Sequence, residues 1–154
     1  MQAERPGSEL TGDAGYLLSR VGAAVRAGFK ELLGRWRVRP QQFAILTALR
    51  AGGPASQQEL CQALGINSGN MVELVDGLET LGYAQRRRDP RDRRRYLLAM
   101  TDEGREAFTA MTAAAGEYTA GFLAPLDAAE RHALVAALTK LYVTTPEGQR
   151  LPPP

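Results

Sequence analysis

The sequence predicts a mostly α-helical fold carrying one small β-hairpin, and three observations predict it. Apolar residues recur at helical spacing through most of the chain. Ser56, Asn67, Thr101 and Asp127 each stand ahead of such a stretch, where a side-chain oxygen can cap a helix. The one segment that reads as extended is Arg-rich and is interrupted by Asp89-Pro90, which favours a turn. At 154 residues there is room for one domain and a small appendage, with enough chain to bury a core unaided.

Residues 1–12, with Pro6, Gly7 and Gly12, have no periodic pattern and are expected to form a flexible arm. From about Asp13 to Trp36 a helical stripe runs through Leu17, Val21, Val25, Gly28, Phe29, Leu32, Leu33 and Trp36. That stripe is apolar enough to need a partner. Arg35, Arg37 and Arg39 are expected near its C-terminal end, where cations suit the helix dipole. Pro40 breaks this helix or opens the next. Residues 41–50 predict a short helix burying Phe43, Leu46 and Leu49, ended by the loop Ala51-Gly52-Gly53-Pro54-Ala55.

Ser56 and Glu59 have capping-box spacing. The helix they start buries Leu60 and Leu64, and Gly65 suits a left-handed terminator. Asn67 then caps a helix running to about Leu81, with Met71, Leu74, Val75 and Leu78 inward and Gly82 as its stop. Two short helices joined by a four-residue connection centred on Gly65 have the layout of a helix-turn-helix. Residues 83–88 and 95–100 read as the strands of a hairpin, and a hairpin placed there is a wing. Thr101 caps another helix, with Phe108, Met111, Ala115, Tyr118 and Phe122 in line until Pro125 breaks it. Asp127 and Glu130 form a second capping box, and the last helix is expected to bury Leu134, Leu138, Leu141 and Tyr142. Residues 144–154 are expected to fray.

The net charge of +2 hides a strong partition. Seventeen of the nineteen basic residues are Arg, and seven of them lie between Arg86 and Arg95. Residues 41–82 carry −3 and residues 83–95 carry +5. A charge run is often a solvated tail. This one is internal and enclosed by periodic elements, which favours a functional wing. One Cys and one His are too few for a zinc cluster or a Cys–His nucleophilic centre. No disulfide within the chain, metal or cofactor is expected, and neither a phosphate loop nor a paired-carboxylate frame argues for an enzyme. The start lacks a secretory layout and no stretch approaches ~20 apolar residues, so a cytoplasmic location is expected.

Asp92-Arg93-Arg94 has Leu98 four residues beyond Arg94, then Thr101 and Gly104. This resembles the wing signature of the MarR family of winged-helix regulators. Leu64-Gly65-Ile66 and the run Leu74-Val75-Asp76-Gly77-Leu78-Glu79 through Leu81-Gly82 are similar to its recognition-helix frame. Gln41-Gln42-Phe43-Ala44-Ile45-Leu46 is similar to the opening of its second helix. The likeness spans nearly all of residues 13–143. It implies a homodimer, built from helices in 13–40 and 102–143, around a winged helix-turn-helix at 41–101. It further implies a regulator of transcription, often released by a small phenolic ligand or an oxidant.

A recognition helix enters the major groove by its N-terminal end. Ser68, Gly69, Asn70, Val72, Glu73 and Asp76 are the outward residues there. Asn70 suits adenine, Val72 a thymine methyl and Glu73 a cytosine amino group. Residues 68–81 contain no basic side chain, where members of the family often have one. The positive field is therefore expected from the wing: Arg91 at the tip, then Arg93 and Arg94, with Arg86 and Arg88 toward phosphates. Asp92 is expected to steady the tip by pairing with a neighbouring Arg. The alternative is an architectural nucleic-acid-binding protein with little sequence preference, for which the acidic recognition helix is the supporting feature.

Phe29, Trp36, Phe43, Met111 and Tyr118 sit at core spacing, which favours plain packing. The other reading is a cleft for a small aromatic or anionic effector, with Trp36 beside Arg37 as its first pair. Cys61, without a second thiol, reads as a small core residue, and His132 as a surface or interface residue.

Overall fold

The computed structural model describes residues 12–146 and Gly148. The expected arm lies outside the described residues except for Gly12, and the expected frayed end is described only to Pro146 and at Gly148. The elements follow as α1 (Ala14–Gly34), α2 (Pro40–Gly52), α3 (Gln57–Leu64), α4 (Ser68–Thr80), β1 (Ala84–Arg88), β2 (Tyr96–Met100), α5 (Asp102–Phe122) and α6 (Ala128–Tyr142). No helix among them is long and apolar enough to cross a membrane.

Local chemistry starts each helix. Asp13, Asn67, Thr101 and Asp127 accept backbone N–H groups of the first turns of α1, α4, α5 and α6. Ser56 and Glu59 close a reciprocal box on α3: Ser56 Oγ accepts the Glu59 N–H at 3.2 Å, and Glu59 Oε2 accepts the Ser56 N–H at 2.7 Å. Gly65 ends α3 in the left-handed region at φ 65°, and Gly82 turns out of α4 at φ 76°. The α3–α4 connection is residues 65–67, one shorter than expected, because Asn67 is already the cap.

Hydrogen bonds from Ser56, backbone first and hydroxyl second, hold the Glu59 carboxyl below its ordinary value; partial desolvation opposes them and Arg95 assists. A depressed folded-state value means that the stabilisation is present above the unfolded value and lost as pH falls through the folded one. Glu59→Gln is therefore expected to flatten the stability profile between about pH 5 and 3. Equal slopes for variant and parent in acid titrations of unfolding would count against the box.

The core gathers Leu33, Ile45, Leu46, Leu60, Met71, Leu74, Leu78, Leu98 and Met111 under α2 and α4. Burial on α2 falls on Gln42, Ile45, Leu46 and Leu49, so Phe43 is only half-buried and not the core residue expected. It faces sideways, edge-on to Phe29 with ring centroids 5.4 Å apart and stacked on Phe108 at 5.4 Å. The larger correction concerns α6, which buries no residue. Leu138, Leu141 and Tyr142 are exposed, as are Tyr16, Leu17, Leu18 and Val21 on α1. A stripe at core spacing records only that a partner surface is needed, not that the same chain supplies it.

The strands pair antiparallel, Ala84 with Met100 through Arg88 with Tyr96. The loop before α3 adds a third member. Ala55 donates to the Leu98 carbonyl at 3.1 Å and accepts the Leu98 N–H at 2.8 Å. The wing is thus stitched to the start of the helix-turn-helix as well as to its end.

Candidate nucleic-acid interface

Asn67 spends its side-chain oxygen on the Asn70 N–H at 2.8 Å, which fixes the first turn of α4. Ser68, Gly69, Val72 and Glu73 stand exposed beyond it, and Asn70 is half-buried. A Cβ at Gly69 would meet nothing nearer than Asn67 Oδ1 at 3.7 Å. The fold itself therefore does not demand a glycine there, whereas a partner approaching the backbone would benefit from one.

All three carboxylates of α4 are paired with arginines from outside the helix. Glu73 Oε1 meets Arg39 Nη2 at 2.8 Å. Asp76 meets Arg86 Nη2 at 2.7 Å, and Glu79 holds Arg86 Nη1. Glu79 also accepts the Arg86 backbone N–H at 2.7 Å. Burial alone would lower the Arg86 pKa; the hydrogen bond to Asp76 and the charge of Glu79 outweigh it and raise the value. The expectation that Arg86 faces phosphates is thereby corrected. Its guanidinium is committed to Asp76 and Glu79 and binds β1 to α4.

The wing loop, residues 89–95, is built on backbone hydrogen bonds. Asp89 is buried, and its Oδ1 accepts the Arg91 N–H at 2.8 Å. Asp92 Oδ1 accepts the Arg94 N–H at 3.0 Å. Asp92 therefore steadies the tip through the main chain rather than by pairing with an Arg side chain, since a short Asp side chain reaches two residues on more readily than a neighbouring guanidinium. Arg88 Nη1 donates to the Arg93 carbonyl at 2.8 Å and lies 5.4 Å from the Tyr96 ring centroid, so it braces the loop from below. Arg91, Arg93 and Arg94 remain exposed at the tip. Arg95 lies 3.8 Å from Glu59, a looser tie to α3.

Sequence reasoning missed the roles of Arg39 and Ala55 and read Asp89 only as part of a turn. Asp89-Pro90 carried a legible turn signal; the other two act across distant segments and left no local trace. The residues that favour plain packing, with a cleft as the other reading, are mostly packed. Met111 is fully buried, Trp36 packs on the core, and Phe29 and Phe43 are occupied with each other. Arg37 is exposed at φ 60°, ending the turn after α1. Tyr118 lines a depression of about 330 Å³ with Gly28, Glu31, Leu32 and Arg35. Cys61 is half-buried against the core and His132 is exposed on α6.

The model of the MarR family matches residues 38–95. A putative transcriptional regulatory protein for the hcr operon of Thauera aromatica is 31% identical over 141 residues, 91% of this chain and 85% of its own length. The transcriptional repressor CouR, solved bound to a 23-mer DNA duplex, has 30% identity and a TM-score of 0.77, covering 90% of this chain and 99% of that one. BpsR of Bordetella bronchiseptica, whose DNA binding is regulated by 6-hydroxynicotinic acid, has 26% identity and a TM-score of 0.71, covering 94% and 100%. With the helix-turn-helix, the braced wing and these relatives together, the chain belongs to the MarR family: it is a DNA-binding transcriptional regulator and not an enzyme.

Proposed function

We propose that the protein is a homodimeric repressor that binds a pseudo-palindromic operator in double-stranded DNA. The observation that carries this reading is the joint presentation of the α4 first turn and three exposed wing-tip arginines by one braced unit. In this reading Ser68, Gly69, Asn70 and Val72 meet base edges in the major groove, and Arg91, Arg93 and Arg94 take the flanking minor groove or phosphates. A cytoplasmic location goes with that partner.

The exposed apolar residues of α1 and α6 support dimerisation through the helices of 13–40 and 102–143. Two copies would set two half-sites about one helical turn apart. A small aromatic or anionic effector fits the depression beside Tyr118, where Arg35 supplies the cation in place of Arg37. The relative regulated by 6-hydroxynicotinic acid, itself a small aromatic acid, supports that class.

Selection of bound sequences from a random duplex pool tests the reading, and a two-fold consensus is the expected result. A pool returned without consensus would favour the architectural alternative. Arg91→Ala is expected to weaken binding to every sequence and to reduce the salt slope by about one to two units per dimer. An unchanged salt titration would remove the wing tip from the interface.

A further inference from the structure

We propose that Arg39 is a positioning residue for sequence recognition: it holds and neutralises Glu73, so that an α4 without any basic side chain can enter a groove lined by phosphates. The inference rests on the DNA-binding reading above and assigns a role to a residue outside the recognition helix and the wing.

Glu73 sits one turn nearer the N-terminus of α4 than Asp76, at the end that leads into the groove. Its side chain is 67% exposed, so an unpaired carboxylate there would meet the phosphates with only solvent screening. Arg39 cancels that charge through one oxygen, Oε1, at 2.8 Å. Among the described residues Glu73 Oε2 has no hydrogen-bond partner, which leaves an acceptor free for a base amino group.

The pair is not a chance meeting of two long side chains, because the root of Arg39 is anchored to α4. The Arg39 N–H donates to Gln42 Oε1 at 2.9 Å, and Gln42 Nε2 donates to the Leu74 carbonyl at 3.1 Å. Gln42 is 2% exposed, and a Cβ on Gly77 would come within 2.5 Å of its Nε2. A buried amide thus fixes the start of α2 against the residue that follows Glu73. The guanidinium itself is 50% exposed, so the pair contributes little to stability and its loss leaves the fold intact. Arg86 handles the other two carboxylates from the wing, which makes Arg39 the sole provider at the leading end among the described residues.

The test uses the full chain and the duplex recovered by selection with the parent, with affinity read by fluorescence anisotropy and folding by thermal melting. R39A is expected to lose about tenfold in affinity at an unchanged melting midpoint. E73Q removes the charge to be neutralised, so R39A in an E73Q background should bind within about threefold of E73Q alone. R39K should recover part of the loss, because the charge returns without the planar fork. Selection with E73Q should alter one symmetric pair of consensus positions. R39A binding as the parent does, or losing as much in the E73Q background, would overturn the proposal while leaving the DNA-binding reading intact. Failure of the parent itself to select a consensus would overturn that reading instead.

Discussion

Gly104→Ala is expected to lower stability by about 3 kcal/mol, because the added methyl has no space and nothing beside it can yield. A Cβ there would overlap the Tyr83 carbonyl oxygen and lie 2.9 Å from Met100 Cγ. That carbonyl already accepts the Thr101 N–H at 3.1 Å, and the Gly104 N–H is held by Thr101 Oγ at 2.9 Å. The start of α5, the cap and the base of the wing therefore form one knot. The melting midpoint should fall by about 8 °C. Because Tyr83 leads into β1, DNA affinity should fall even well below that midpoint. A shift under about 2 °C would show that α5 can lift off the wing base without cost.

Arg86→Ala should have the larger effect on DNA binding. The substitution removes the guanidinium from two carboxylates and leaves Asp76 and Glu79 uncompensated on the helix that approaches phosphate. Glu79 still accepts the Arg86 backbone N–H, so β1 stays attached and the chain loses only about 2 kcal/mol of stability. In a dimer the change exposes four bare carboxylates at the interface. Affinity should fall about a hundredfold at moderate salt, ~2.7 kcal/mol. Arg86→Lys should fall between parent and Ala, since one ammonium cannot span both partners. A loss below threefold in a salt-controlled binding assay would show that the carboxylates lie outside the reach of DNA.

What was legible in the sequence was whatever is decided within one turn of chain. Ser56 with Glu59, Asn67, Thr101 and Asp127 were readable as caps because cap and capped group lie three residues apart. Gly65 and Gly82 were readable as stops for the same reason. The site was legible as a set of exposed residues and not as a set of partnerships. Arg39 and Glu73 are 34 positions apart, and no local pattern distinguishes that Arg from Arg35 or Arg37. Arg86 showed only as one cation in a run of seven, although it alone holds both Asp76 and Glu79. Likewise the Leu138 and Leu141 stripe was correctly apolar, but spacing carries no information about which chain covers it.

Arg39, at the start of α2, and Arg86, on β1, both reach carboxylates of α4, so the ion pairs around the recognition helix join three elements. Displacing α4 alone would break three ion pairs at once, one to the start of α2 and two to the base of the wing.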